Sequence, residues 1–232
     1  MPILNHISPL DIAASLWFLC LWFGFSFILD RTAFGRGSLS SIMDLKRAAW
    51  MQTMKTRDLR IVDTSIMAGL QQGTAFFAST SLLAIGGSFA LMNAAEDVLM
   101  VFHRLPVSVE MTPAEWQIKI IGLLLIYTYT FFKFGWAYRL FNYASMLLGA
   151  VPDRDGNETV EKIEQSVESV TQMTVLAGKH FNRGLMAFFF AIGYLGWFIN
   201  AAVFIGATTF VLLVLVRRQF FSASLRVAKI GL

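Results

Sequence analysis

The sequence predicts an all-α, polytopic transmembrane helix bundle, and its composition is the first reason. Of its 232 residues, 56% are hydrophobic and only 15% are charged, whereas a soluble domain carries about 25% charged residues. The 22 phenylalanines and six tryptophans exclude a disordered chain. The single cysteine, Cys20, excludes an internal disulfide framework and a cysteine metal cluster.

Apolar stretches long enough to cross a bilayer are the second reason. A crossing needs about 20 predominantly apolar residues, and four stretches meet this requirement. We therefore predict a single integral membrane domain, 1–232, with spans at 10–29, 66–92, 117–141 and 185–216. No basic residue precedes the first stretch, so we expect a retained anchor rather than a cleaved signal peptide.

The distribution of basic residues predicts the orientation. Seven lie between the first two spans and four between the last two, namely Arg31, Arg36, Lys46, Arg47, Lys55, Arg57, Arg60 and then Arg154, Lys162, Lys179, Arg183. By the positive-inside rule, segments 30–65 and 142–184 face the cytoplasm of a bacterial inner membrane and the N-terminus lies outside. Because the excess charge of +4 lies in these flanks, we expect no nucleic-acid partner.

The last apolar run, 185–216, is predicted as one long tilted or bent helix. Gly193, Gly196 and Asn200 mark the place where a bend or tight turn would form most easily. Four crossings leave the C-terminal tail outside, although this tail is itself basic. Splitting the run near Asn200 would give five crossings and a cytoplasmic tail. We predict four, because the early charges usually dominate topology.

Both cytoplasmic segments are predicted to form amphipathic helices. After a cap at Ser41, Ile42 and Trp50 fall near one face of a basic helix, which suits the bilayer interface. In the second segment Val160, Ile163, Val167, Val170 and Thr174 recur at helical spacing opposite an acidic face. Anionic lipid repels such a face, so this helix is expected to pack against the first connection or a partner protein.

The search for catalytic chemistry favours a protein that is not an enzyme. Zincin, serine-hydrolase, Walker and thiol-redox motifs are missing from the sequence, and we predict no cofactor and no identifiable small-molecule substrate. A His6/His103 pair and a calcium-like spacing of Asp153, Asp155 and Glu164 are the two metal hypotheses. Neither is favoured, since Glu158 stands where the calcium loop needs glycine.

Polar and small residues inside the spans are the remaining candidates. Gly69 and Gly73 lie on one helix face and permit close helix packing, while Gln71, Gln72, Ser79 and Thr80 can hydrogen-bond between helices. The alternative is a hydrated path lined by Gln71, Gln72, Thr128 and Asn200. Lys133 and Arg139 are interpreted as interfacial anchors in preference to ion-coupling groups, because their long stems reach the headgroups.

Four segments resemble a known family: TAFFASTSLLAIGG at 74–87, FFKFGWAYRLFNYASMLLGAVP at 131–152, HFNRGLMAFFFAIGYLGWF at 180–198 and VLVRRQF at 214–220. Together they resemble the bacterial integral membrane family called domain of unknown function 599, which has plant relatives. The resemblance implies no substrate, reaction or cofactor. The polar positions it marks include Ser79, Thr80, Ser81, Lys133, Arg139, Asn142, Asn182, Arg183, Arg217 and Arg218, several of which suit a site on the cytoplasmic face.

Three functional hypotheses follow. The leading one is a non-enzymatic accessory or assembly subunit, or a self-associating homo-oligomer, that resides in the lipid bilayer with a membrane-protein partner. The second is a small transporter or channel with a polar intramembrane path. The third is a membrane enzyme acting on a lipid or quinone.

Overall fold

The computed structural model describes residues 8–102, 111–153 and 158–231, and within them every regular element is a helix. This confirms the predicted all-α class. The helices are α1 (Pro9–Arg31), α2 (Leu39–Met54), α3 (Ile61–Asn93), α4 (Ala95–Phe102), α5 (Pro113–Gly149), α6 (Val160–Tyr194), α7 (Ala201–Phe220) and α8 (Ala223–Ala228). Short 3₁₀ turns lie at Phe34–Gly37 and Leu195–Phe198.

Four stretches among the described residues are long and apolar enough to cross a membrane, as the sequence predicts. They are Pro9–Arg31, Ile61–Asn93, Pro113–Gly149 and Ala201–Ala228. Two of them are longer than expected, because α3 already begins at Ile61 and α5 continues to Gly149. These added turns are polar on one side and lead away from the apolar part of the bundle.

Short polar side chains cap the starts of α1, α2 and α5. The hydroxyl of Ser8 accepts a hydrogen bond from the backbone N–H of Asp11 (3.1 Å), and the Asp11 carboxylate accepts one from the backbone N–H of Ser8 (3.3 Å). The same reciprocal arrangement opens α5. For α2 the cap is Ser38 rather than the predicted Ser41, because the chain between α1 and α2 turns earlier than expected.

The single helix predicted for 185–216 does not form, since the 3₁₀ turn at Leu195–Phe198 divides it. The side chain of Asn200 then opens α7 by accepting the N–H of Val203 at 2.8 Å. The turn lies where the sequence indicated a bend. A Cβ atom on Gly196 would stand 2.9 Å from the carbonyl oxygen of Val203, so α6 and α7 approach this closely only because residue 196 has none.

The C-terminal half of α6 lies beside α1 and α7, and polar contacts fix both ends of this group. At the N-terminal end the indole N–H of Trp197 donates to the Asp11 carboxylate at 2.6 Å. At the opposite end the Arg183 guanidinium pairs with Asp30 at 2.7 Å. We call this second end, where α1 and α7 finish and α2 begins, the basic end.

The C-terminal tail also lies at the basic end. Lys46 of α2 donates from Nζ to the carbonyl oxygen of Ile230 at 2.8 Å, and Leu225 of α8 is buried. The tail and the first basic connection therefore share one end of the bundle.

Helices α3, α5 and α6 continue past the basic end as a second bundle, which we call the extension. It consists of α2 with 61–73, 137–149 and 160–178. Its core includes Met51, Met54, Leu148, Val167 and Val170, all at most 1% exposed. The apolar stripe of α6 thus packs against the first connection, as its charge pattern predicts, and Lys55 pairs with Glu164 across the contact.

A separate aromatic core lies between α1, α6 and α7. Phe18 packs edge-on against Phe190 (ring centroids 5.9 Å apart) and against Tyr194 (5.5 Å), while Trp197 stacks on Phe204 (5.2 Å). Such pairs add about 0.5–1.5 kcal/mol each beyond the apolar area they bury. The two cores adjoin at the basic end, which is where the polar side chains gather.

Candidate functional site

The face of α3 that points away from α5 combines small and polar residues with exposed large apolar ones. Thr74, Ser81 and Ser88 lie on the buried face, where each hydroxyl donates to a carbonyl of its own helix. On the opposite face the exposed residues include Gly69, Gln72, Gly73, Phe76, Ser79, Leu83 and Gly86. We call this set the outer face of α3.

The glycines of the outer face do not contact another part of the chain. A Cβ atom built on Gly69 or Gly73 meets no described atom within 4 Å. Thr80, beside them, donates its hydroxyl to the carbonyl of Phe76 at 2.9 Å. Within the described part of the chain, the close helix packing predicted at the two glycines is therefore not made.

Two of the predicted polar residues, Gln71 and Asn142, form a bridge between α3 and α5. The side-chain amide of Gln71 donates to the Asn142 carbonyl oxygen at 2.8 Å and to the Ser145 hydroxyl at 2.9 Å. The bridge lies inside the extension. It satisfies polar groups that would otherwise be costly to bury, which is a structural task.

The residues proposed to line a hydrated path do not converge. Gln71 and Gln72 lie in the extension, beyond the basic end, and Gln72 is exposed. Asn200 lies near the other end of the bundle and is occupied in capping α7. The structure thus offers no support for a path through Gln71, Gln72, Thr128 and Asn200.

Lys133 and Arg139 line a shallow aromatic surface on α5. The Lys133 ammonium lies 5.1 Å from the ring centroid of Tyr129, and Arg139 donates to the Tyr143 hydroxyl at 2.5 Å. Both side chains border an open depression of about 540 Å³ that Trp136 also lines. A cation over an aromatic ring at this position suits anchoring at an interface.

Asn182 belongs to a hydrogen-bonded layer that joins α2, α6 and α7. The backbone N–H of Ser40 donates to the Gln219 carbonyl oxygen at 3.1 Å, and the Gln219 amide donates to the Ser40 hydroxyl at 2.9 Å. Asn182 donates to the same hydroxyl at 3.4 Å. One small serine thereby fixes the first turn of α2 against two helices of the bundle.

A polar cavity of about 250 Å³ lies beside this layer, between the end of α1, the start of α2 and α6. The Arg183 and Asp30 pair lies at its edge. Its lining is Leu29, Asp30, Arg31, Thr32, Gly35, Arg36, Ser38, Ser40, Ser41, Asp44, Lys179, Asn182, Arg183 and Met186. We call it the inner cavity.

The carboxylate of Asp44 is the acidic group on the α2 side of the inner cavity. Burial raises the pKa of Asp44, while the opposing attraction of Arg47 and Lys179 favours its charged form. Arg47 lies 2.6 Å away and holds the carboxylate in a direct ion pair. The Asp44 carboxylate is therefore already paired with a neighbour on its own helix.

Sequence reasoning found Asn182 and Arg183 in this region but missed their partners. Asp30 and Ser40 have no motif and lie 153 and 142 positions away along the chain, and Gln219 lies 179 positions from Ser40. One signal was available, because Asp30 interrupts the end of an apolar span and therefore needs a cation nearby.

The two metal hypotheses are not supported by the described residues. His6, His103 and Asp155 lie outside them. Asp153 instead approaches Arg60 at 3.5 Å, and Glu164 pairs with Lys55. Within 8–102, 111–153 and 158–231, no three histidine, cysteine or acidic side chains are grouped as metal ligands.

Comparison with known proteins gives one match. A family model described as "Protein of unknown function, DUF599" matches residues 13–224. No curated protein and no solved structure matches the chain.

Proposed function

Because the chain belongs to the DUF599 family, whose function is unknown, we propose that it acts by self-association, as a non-enzymatic membrane subunit that pairs through the outer face of α3. The observation that carries the proposal is the set of small and polar residues on that face, Gly69, Gln72, Gly73, Ser79 and Gly86. Accessory or assembly work on another membrane protein would then be done by the pair.

The outer face of α3 has the spacing of a helix–helix seam. Residues 69, 72, 76, 79, 83 and 86 alternate steps of three and four, which is the heptad pattern of paired helices. Gly69 and Gly86 let a second backbone approach, and Ser79 offers a hydrogen bond that lipid chains do not provide. Gln72 lies in the extension, where its amide can pair with a partner helix outside the lipid.

The lipid-facing side of α1 provides the contrast. There the exposed residues are large and apolar, for example Leu16 (58% exposed), Phe23 (54%) and Phe27 (62%). Such side chains are suited to lipid and need no partner. The outer face of α3 also exposes Phe76 (64%) and Leu83 (77%), but it differs from α1 in placing Gly69, Gly73, Ser79 and Gly86 beside them, and these small residues support a protein partner.

A second copy of this chain is the partner that fits. No acidic, basic or histidine residue occurs between Thr64 and Ala95, so two α3 helices approach without charge repulsion. In a parallel two-fold pair each Gln72 faces its own equivalent, and its amide is both donor and acceptor. The two Gln72 amides can therefore satisfy each other's hydrogen-bonding groups.

The proposal includes a topology. The arginines and lysines of the first connection and of the tail lie at the basic end, which the positive-inside rule places in the cytoplasm of a bacterial inner membrane with the N-terminus outside. Residues 183–198 then serve as a fifth crossing beside α1 and α7. In this arrangement the extension is cytoplasmic.

Disulfide cross-linking tests the pairing. In a Cys20→Ser background, Gln72→Cys and Ser79→Cys are expected to form dimers on mild oxidation in native membranes, because equivalent positions face each other across the two-fold axis. Leu16→Cys on α1 is the matched control and should remain monomeric. Equal cross-linking at all three positions, or none at 72 and 79, would refute the seam.

Glycine substitutions supply a second readout. Gly69→Leu with Gly73→Leu should convert the detergent-purified oligomer to a monomer with unchanged secondary structure. Gly206→Leu on α7 is the control, since a Cβ there also meets no described atom within 4 Å.

A separate experiment tests the topology. A cysteine introduced as Ser224→Cys should be shielded from an impermeant thiol reagent in intact cells, and its labelling would contradict five crossings.

A further inference from the structure

The inner cavity carries more positive charge than the surrounding protein neutralises. Arg31, Arg36, Lys179 and Arg183 line it, opposed by Asp30 and Asp44. Both carboxylates already have a close partner. Asp30 pairs with Arg183 at 2.7 Å and Asp44 with Arg47 at 2.6 Å.

Three cations at the inner cavity therefore have no ion pair of their own, although Lys179 also attracts the Asp44 carboxylate. Within the described part of the chain, Arg31, Arg36 and Lys179 make no ion pair. They come from three different elements: the last turn of α1, the 3₁₀ turn that follows it, and α6. Arg31, Arg36 and Lys179 are exposed, so water weakens their mutual repulsion, and an anion between them would turn it into attraction.

Neutral donors accompany the cations. Ser38 is only 1% exposed, and the hydroxyl of Ser41 and the amide of Asn182 also line the cavity. The start of α2 adds its partial positive charge to the same space. Several cations with hydroxyl and amide donors suit an anion with many oxygens, of which phosphate is the usual biological example.

The position of the cavity indicates how a ligand reaches it. Leu29 and Met186 form an apolar part of its wall, at the level where α1 and α7 end. A lipid headgroup at the inner surface of the membrane lies at this level, and the cavity is also open to soluble compounds. We propose that the inner cavity is a binding site for a phosphate ester, held between Arg31, Arg36 and Lys179.

The 3₁₀ turn at Phe34–Gly37 keeps this arrangement in place. Gly35 is buried, and its backbone N–H donates to the carbonyl of Thr32 at 3.1 Å. Ser38 donates its backbone N–H to the carbonyl of Gly35 at 3.0 Å. The backbone of Arg36 is therefore held in a hydrogen-bonded turn, so little backbone entropy is lost when the phosphate ester binds.

Binding is tested on the purified full-length protein. The shift in unfolding temperature is measured in phosphatidylcholine nanodiscs with and without phosphatidylglycerol, and in phosphatidylcholine alone with glycerol 3-phosphate. Arg36→Gln with Lys179→Gln is compared with Arg226→Gln and Lys229→Gln, which removes the same charge from α8, outside the cavity lining. Circular dichroism and the unfolding temperature without ligand verify that both variants fold.

We expect the ligand to raise the unfolding temperature of the wild type and the α8 variant equally. The cavity variant should bind about 30-fold more weakly, since each cation near an anionic group contributes a factor of about five. A response to phosphatidylglycerol alone identifies a lipid headgroup, and a response to glycerol 3-phosphate identifies a soluble ester; either supports the site. No response to either probe, or the same loss in both variants, overturns it.

Discussion

Replacing Gly35 with alanine is expected to destabilise the protein by about 3 kcal/mol, which is the upper part of the range for overpacking a buried position. A Cβ atom at this residue would lie 2.7 Å from both the carbonyl oxygen of Ile28 and the carbonyl carbon of Leu29. These are backbone atoms of the last turn of α1, and they cannot rotate aside as a flexible side chain can. The 3₁₀ turn must therefore move away from α1.

Gly37→Ala, in the same turn, is the matched control. A Cβ atom at Gly37 meets nothing within 4 Å, so this variant should be neutral or more stable by about 0.5 kcal/mol through the entropy of the unfolded chain. At about 2–4 °C per kcal/mol for a chain of this size, Gly35→Ala should unfold about 6–12 °C below the wild type. The measurement is thermal unfolding by circular dichroism in mild detergent. Equal stability of the two variants would show that the turn is not held against α1.

Three other substitutions test separate contacts. Arg57→Ala should lower the free energy of unfolding by about 2–3 kcal/mol, measured by chemical unfolding, because it leaves the fully buried carboxylate of Asp63 without its cation. Adding Asp63→Asn should recover most of this loss. Additive losses in the double variant would refute the pair. Lys55 holds the pKa of Glu164 below its usual range, so this pair stabilises the fold at neutral pH, and the stabilisation is lost as the pH falls through the lowered pKa. Glu164→Gln should reduce this loss of stability at acidic pH. An unchanged dependence of stability on pH would contradict the prediction. Lys133→Met should complement a deletion strain as well as Lys133→Arg at equal immunoblot levels, whereas failure of the methionine variant alone would indicate ion coupling rather than anchoring.

The parts of the fold that depend on local pattern were predictable from the sequence. Composition and the apolar runs identified the membrane class and the stretches able to cross, and the spacing of Val167 and Val170 identified the buried side of α6. Asn200 and the nearby glycines also marked the position of the last turn. Each of these signals lies within a few residues of the element it describes.

The last run, 185–216, is predicted as one helix from its apolar composition, whereas the structure divides it at Leu195–Phe198 and extends α6 back past Lys179 and Arg183. In the structure Arg183 is neutralised by Asp30, a residue more than 150 positions away. No local pattern reports that such a pair will form.

The inner cavity could not be predicted for the same reason. Its cations come from α1, the 3₁₀ turn and α6, and in the sequence they look like ordinary orientation signals. Only the packing of the three elements shows that two carboxylates are already paired and that the remaining cations surround a common space.

The unbroken length of α5 has a mechanical consequence. Its 37 residues form a rod about 55 Å long, and α3 and α6 run beside it from the aromatic core into the extension without a hinge. A bilayer that becomes thinner or thicker changes the tilt of such rods, and a change of 10° displaces the far end sideways by about 10 Å. The position of the extension therefore depends on the tilt of α3, α5 and α6.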